Sequence, residues 1–404
     1  MLRSVPPIIE FFTKMASAIF TLLIGKLLYD ETNSLWAFAT ASGGEFIIVT
    51  IIQLAAGALA DRHAPTKILI VINALCMAVF ILLAFIYHWA PTVGLLLAAG
   101  IVYVFRPLYR TSLFVLVRKM VATNDLRAVN GQIASASQLG QIIGFALTGI
   151  ILSWTSEVAV FYLMALIYGF CLLLSTFIYY RQDVVQLAVT SSKKELLNWA
   201  DFVQFSKGHH AFIVRLASSL SIAISLGGFY VLIAPLVTAK FTDNSQWLSW
   251  LSVSYALGAT ISGILVKKSE QFLKVLSSDK LLMINQIISA TTFLCCGLLN
   301  QLVWLPILLF CFGVTTTLAA VSLSSYLQTV ALSGVMGRTS AIQNIFIAAG
   351  NAGVAFFCAW IFNWSFNAAA IGLGLLILFI MCLFLLVFRR YPESTHSDSP
   401  SISN

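Results

Sequence analysis

The sequence predicts an all-α polytopic membrane protein of twelve transmembrane helices arranged as two six-helix halves. Three observations carry that expectation. The chain is 60% hydrophobic and 9% charged, with a mean hydropathy of +0.94, which leaves too few polar side chains to cover a water-soluble protein of 404 residues. Its apolar residues form long runs rather than the alternating segments of about ten residues that build a membrane β-barrel. These runs fall into two sets of six, separated by one long polar segment.

In order, the runs are 8–29, 38–59, 68–89, 93–116, 130–153 and 158–180, then 211–238, 247–266, 281–300, 304–329, 339–362 and 367–388. At about 1.5 Å per residue, most can cross a hydrocarbon core of about 30 Å. A helix is the expected element because it satisfies its own backbone N–H and C=O groups where no water is present. The expected organisation is a half at 1–180, a linker at 181–210, a second half at 211–389 and a tail at 390–404. The linker mixes Lys193, Lys194, Glu195, Trp199, Asp201 and Lys207 with apolar residues, as a short amphipathic helix on the membrane surface would. The serine-rich tail has no apolar run and is expected to be disordered. Arg3 and the later Ala16-Ser17-Ala18 imitate a cleavable leader, but Glu10 and Lys14 interrupt the stretch and hydrophobicity continues beyond it. A retained first helix is expected.

Charge placement sets the expected orientation. Arg62, Lys67, Arg118, Lys119, Arg127, Arg181, Lys267, Lys268, Arg338, Arg389 and Arg390 fall at one side of the runs, whereas the opposite loops hold only Lys240. That asymmetry puts both termini in the cytoplasm, in a bacterial inner membrane. It also accounts for the formal net charge of +8 without nucleic acid, for which no soluble basic stripe exists. The seven cysteines all lie in apolar runs and read as small buried hydrophobes. His209 and His210 are adjacent, but no further ligand converges on them by spacing, so no metal and no cofactor is expected. A phosphate-binding glycine loop is missing, which argues against ATP hydrolysis by this chain.

Several short segments resemble the major facilitator superfamily. Gly57-Ala58-Leu59-Ala60-Asp61-Arg62 with Lys67 resembles its loop signature, although Ala64, Pro65 and Thr66 replace the usual glycine and basic pair. Phe105-Arg106-Pro107-Leu108 and Asp125-Leu126-Arg127-Ala128-Val129-Asn130 resemble the drug, macrolide and siderophore exporter branch, and Gly337-Arg338-Thr339-Ser340-Ala341 looks like the second-half counterpart of the latter. Gly144 and Gly149 match the glycines of an exporter-associated segment whose proline is missing here. The resemblance implies that Asp61 and Arg62, with Gly57, Lys67 and Arg338, act in gating. Physical chemistry agrees: Asp61 can accept hydrogen bonds from an opposing helix N-terminus, and Gly57 permits close helix approach. The alternative is that Asp61 and Arg62 are solvated loop charges.

Ionisable residues inside the spans are costly and mark candidate sites. Glu45 is expected about 10 Å below the outer surface, where a carboxyl can exchange the coupling proton with the outside; a structural acid paired with Lys26 or Arg106 is the alternative. Arg106 and Arg110 share one side of a helix by their spacing and, with Lys14, are expected to line a cavity for an anionic solute. Arg106 could instead tie helices together, and Lys14, Arg110 and Arg215 could reach the inner surface. Glu10 is expected near the inner face, within reach of water. Tyr230, Tyr255 and Gln328 could complete the cavity from the second half.

The leading expectation is therefore a secondary transporter, acting as a monomer among membrane lipids. It would couple to the proton gradient and export an amphiphilic, anionic small molecule of siderophore or drug type. Proton-coupled uptake of a metabolite and flipping of a lysolipid are the alternatives. An intramembrane enzyme would need a nucleophile and base or several metal ligands at one depth, and the deep groups are almost all cations.

Overall fold

The computed structural model describes residues 4–32, 49, 51–154, 156–182, 199–241, 245–268, 277–299, 303–332, 335–362 and 365–391. Every regular element among them is a helix. These are α1 (Val5–Thr32), α2 (51–62), α3 (Pro65–Ile86), α4 (Pro91–Met120), α5 (Leu126–Trp154), α6 (Glu157–Gln182), α7 (Ala200–Gly208), α8 (His210–Lys240), α9 (Ser245–Lys268), α10 (Ser278–Leu298), α11 (Leu305–Val330), α12 (Met336–Phe362) and α13 (Phe366–Arg390). Prolines open α3 and α4, where a missing N–H costs nothing. Ser277 and Ser365 cap α10 and α13 by accepting from Lys280 N and Ala368 N.

Among the described residues eight helices, α3, α4, α6, α8 and α10 to α13, are long and apolar enough to cross a membrane. The chain is thus an all-α, multi-pass membrane protein. Three further expected runs are occupied by α1, α5 and α9, of 28, 29 and 24 residues. Of these, α1 carries Glu10 and Lys14, and α5 carries Gln132, Gln138 and Gln141. The expected run 38–59 enters the described residues only at its end.

The chain divides into two compact units. Unit 1 takes Met1–Trp199 together with Ala331–Ile345, so the opening turns of α12 belong to it. Within it α1 packs on α5, and α3 on α6 and α4. The α1–α5 seam is close because α5 presents glycines: a Cβ on Gly140 would strike the carbonyl of Phe11, and one on Gly144 would lie 2.6 Å from the carbonyl of Met15. Helices in lipid gain little from hydrophobic burial against each other, so such backbone proximity and polar pairs hold them. Asn73 Nδ2 donates to Ser175 Oγ at 3.1 Å across α3–α6, and Gln53 Nε2 to Thr111 Oγ1 at 2.9 Å across α2–α4.

Unit 2 takes Ala200–Val330 and Phe346–Asn404. Its α9 and α11 meet through Gly258 and Gly313, each set against the other helix's backbone. Thr315 and Thr316 donate to Asn285 Oδ1, and Ser225 to Gln286 Oε1, tying α11 and α8 to α10. Large apolar side chains such as Leu82, Phe85, Leu166, Phe356 and Phe379 stand exposed; in a membrane span these meet acyl chains rather than water.

Candidate functional site

Unit 1 brings a strip of ionisable groups together where α1 and α4 pack. Arg106 reaches from α4 to α1: its Nη2 donates to Ser17 Oγ at 2.6 Å and makes a long contact with Thr21 Oγ1 at 3.5 Å. The same guanidinium lies 5.3 Å from the centre of the Tyr103 ring, three residues back on α4, a cation held over an aromatic face. Lys14 on α1 is half-buried, and Arg110, one turn beyond Arg106, is exposed.

Glu10 corrects one expectation. Rather than reaching water at the inner face, it is 7% exposed, and its Oε2 accepts from the Tyr109 hydroxyl at 3.0 Å. Helices α4 and α6 close over this part of α1: Cys171 of α6 lies 3.7 Å from Thr13 Oγ1 and 4.0 Å from the carbonyl of Ile9. The strip therefore holds an acid as well as three cations. Its signal in the sequence was the four-residue spacing from Lys14 within one apolar run, which puts both on one face of α1. Glu45 lies outside the described residues.

The second cluster is centred on Asp61, past the expected span ending at 59. Asp61 Oδ1 accepts from the backbone N–H of Gly337 at 2.5 Å and Oδ2 from that of Arg338 at 3.2 Å, with Arg338 Nη1 3.6 Å from Oδ2. These are first-turn N–H groups of α12, which have no intrahelical acceptor and carry the positive end of the helix dipole. The approach depends on two glycines. A Cβ on Gly57 would lie 2.7 Å from Ala341 Cβ and 2.9 Å from the carbonyl oxygen of Gly337, and one on Gly337 would strike the carbonyl of Gly57. Arg338 is 4% exposed and sits 5.9 Å from the ring centre of Trp199. Arg62 buries its Nη2 with no hydrogen-bond partner among the described residues, and Lys67 lies 5.6 Å from the centre of the Tyr179 ring.

Burial pushes the Asp61 carboxyl up from 3.8 to about 7, against the pull of the Gly337 and Arg338 N–H groups and the charges of Arg338 and Lys119. An acid with a raised value binds a proton more tightly in this arrangement than in water, so the arrangement is favoured at low pH. That preference is complete below about pH 4 and is lost as pH rises to about 7, at up to about 1.4 kcal/mol per pH unit in between. Apparent unfolding temperatures of the wild type and Asp61→Asn, followed from pH 4 to 8, should differ in slope only within that window. Parallel curves would show that Asp61 does not titrate there.

Of the three residues expected from the second half, Tyr230 and Tyr255 are neighbours, their rings 5.4 and 4.7 Å from that of Phe229, and Gln328 stands apart from them. Tyr255 is 3% exposed and stacks on Phe229 at 4.7 Å in the core of unit 2. Tyr230 is 50% exposed on α8. Gln328 is buried near the end of α11, about 20 Å along that helix from Gly313, which packs on the backbone of Tyr255. Arg215 does not reach the surface: it is 1% exposed and pairs with Asp279, Nη2 to Oδ2 at 2.6 Å and Nε to Oδ1 at 3.0 Å. Asp279 lies at the start of α10, and nothing in its local sequence marks it as a partner. No group of three or more metal-ligating side chains occurs among the described residues.

Comparison with solved structures places this architecture. The chain superposes on a bacterial homologue of the iron transporter ferroportin in its outward-facing state with a TM-score of 0.76 at 11% identity, covering 96% of this chain and 100% of that one. The E. coli fucose:proton symporter gives 0.72 at 11% identity, covering 98% and 100%. The human organic anion transporter TETRAN gives 0.67 at 13%, covering 95% and 98%. At such identities the likeness is one of fold. No curated protein matches the chain in sequence. The family model described as Major Facilitator Superfamily matches residues 8–355, most of the length over which these helices are described, and the chain belongs to that superfamily of transporters.

Proposed function

We propose that this chain moves an amphiphilic, anionic small molecule across a bacterial inner membrane by alternating access, with proton coupling and as a monomer of twelve spans. The carrying observation is Arg106, a permanent cation inside a membrane span, fixed by Ser17 and the Tyr103 ring on the strip that also bears Lys14 and Arg110. Such a charge is expensive in hydrocarbon and persists where it serves a pathway. Export follows from the resemblance around Phe105-Arg106-Pro107 and Asp125–Asn130 to drug and siderophore exporters. Uptake is the second reading, favoured by the buried Glu10 beside the strip. In either direction Asp61, Gly57, Arg62, Lys67 and Arg338 form the gate, and Glu45 exchanges the proton with the outer side. No covalent step enters this reading: the chain acts as a transporter of the superfamily to which it belongs, not as an enzyme.

Untargeted mass spectrometry of cells and spent medium, with the intact protein, without it and with Arg106→Ala, tests this reading. An anionic amphiphile should shift between cells and medium only with the intact protein. Losing one charge-assisted contact should cut the Arg106→Ala rate by about tenfold to a hundredfold. Accumulation in the medium establishes export and depletion establishes uptake. A shifted solute that is neutral or cationic, or full activity of the variant, overturns the anionic assignment.

A further inference from the structure

We infer that the end of unit 2 where α10 begins and α13 finishes binds an anionic phospholipid, with Lys280 and Arg390 holding its phosphate and the exposed faces of the two helices holding its acyl chains. Arg215 brings the parts together. Its guanidinium donates to the Asp279 carboxylate at 2.6 and 3.0 Å and to the carbonyl of Tyr391 at 3.4 Å. Asp279 lies in the first turn of α10 and Tyr391 caps the end of α13, so the two helix ends meet at one level. The residues next to these contacts are Lys280 and Arg390, and both are exposed.

Charge at this end is unbalanced. Asp279 is the one acid among the described residues of α8, α10, α11 and α13, and Arg215 takes both of its oxygens. Lys280, Arg389 and Arg390 are exposed, with no carboxylate left for them on these helices. A phosphodiester supplies the anion: its oxygens accept from an ammonium and a guanidinium together, and it relieves the repulsion between neighbouring cations. What lies beyond the cations decides between a lipid and a soluble phosphate. On α10, Ile284 and Ile287 follow Lys280 by four and seven residues, on the same helix face, and both are exposed. On α13, Leu386 and Leu383 precede Arg390 by the same intervals and are exposed too. The two helices pack on each other, and each carries an exposed apolar stripe that ends in a cation at the same level. Acyl chains against the stripes and a phosphate against the cations match a phospholipid, whereas a soluble phosphate would leave the stripes without a role.

Native mass spectrometry of the full chain tests the inference, after equilibration in micelles holding equal phosphatidylglycerol and phosphatidylcholine of identical chains. The intact protein should retain phosphatidylglycerol in preference. Lys280→Gln with Arg390→Gln should weaken that preference by about thirtyfold, the effect of two cations at an anionic surface. Lys280→Arg with Arg390→Lys should keep it, and so should Arg181→Gln with Lys207→Gln, which removes the same charge from exposed positions elsewhere. The thermal midpoint in phosphatidylcholine alone should be equal for the intact protein and the first pair. Should the pair lower that midpoint, Lys280→Gln by itself, whose backbone N–H still donates to Ser277 Oγ, reads the loss at about fivefold. Equal retention of both lipids by the intact protein, or a preference that survives Lys280→Gln with Arg390→Gln, overturns the site. Equal loss in the Arg181 and Lys207 pair shows attraction by net charge alone and overturns it as well. If millimolar glycerol phosphate displaces the bound phosphatidylglycerol, a soluble anion is the ligand and the lipid assignment falls.

Discussion

Asp279→Ala should lower the stability of unit 2 more than any other single side-chain truncation considered above. Asp279 is the carboxylate partner of Arg215, which is 1% exposed and whose guanidinium lies 5.2 and 5.5 Å from the ring centres of Tyr326 and Phe388. The guanidinium also donates to the carbonyls of Ala211 and Tyr391, at 3.0 and 3.4 Å, so it is tied to α8, α10 and the end of α13 at once. Removing the acid leaves a buried charge with two neutral acceptors, and breaking such a pair from one side costs about 3–5 kcal/mol. Taking about 3 kcal/mol, the apparent midpoint in detergent at a fixed scan rate should fall by roughly 6–12 °C. The double variant Arg215→Met with Asp279→Ala removes the stranded charge and should recover most of the loss, because the pair's net worth is far smaller than the cost of splitting it. A double variant no more stable than Asp279→Ala would mean that the ion pair itself, rather than the orphaned cation, carries the stability.

How much of this was legible in the sequence depends on the range of the interactions. The helices were, because a run such as 68–89 or 367–388 reports its solvent locally, residue by residue. The helix face shared by Arg106 and Arg110 was legible too, since it needs only the helical repeat. The partners were not. Ser17 beside Arg106, Tyr109 beside Glu10 and Asp279 beside Arg215 are 89, 99 and 64 residues away in the chain, and spacing says nothing across such gaps. Glu10 was misjudged for the same reason: its distance from the start of α1 suggested water, and only α4 and α6 bury it. Tyr230, Tyr255 and Gln328 show the converse limit. Polar groups in one half need not all converge: Tyr230 and Tyr255 meet at Phe229 while Gln328 stands apart, and Tyr255 spends its ring on the packing of Phe229 and Phe312.

Gly337→Val should disconnect Asp61 from α12. The valine Cβ would collide with the carbonyl of Gly57 and sit 2.9 Å from Asp61 Oδ1, so the first turn of α12 must move away from α2. Two hydrogen bonds to a carboxylate are then lost, worth together about 3 kcal/mol, or about 150-fold in the equilibrium between docked and undocked turns. Hydrogen exchange of the backbone amides at the start of α12 reads that equilibrium directly, and should accelerate by about a hundredfold if local opening governs it. Gly57→Val attacks the same contact from α2 through Ala341 Cβ and the Gly337 carbonyl and should give the same signature. Gly353→Val is the control on the same helix, because no atom lies within 4 Å of the Cβ it would add; it should leave exchange unchanged. Transport separates the two meanings of the result. If exchange accelerates and transport falls in both the Gly337 and Gly57 variants, the Asp61 junction is a gate whose closing the cycle requires. If exchange accelerates while transport stays at the wild-type rate, the junction only braces the end of α12, and the gating role assigned to Asp61, Arg62 and Arg338 is wrong.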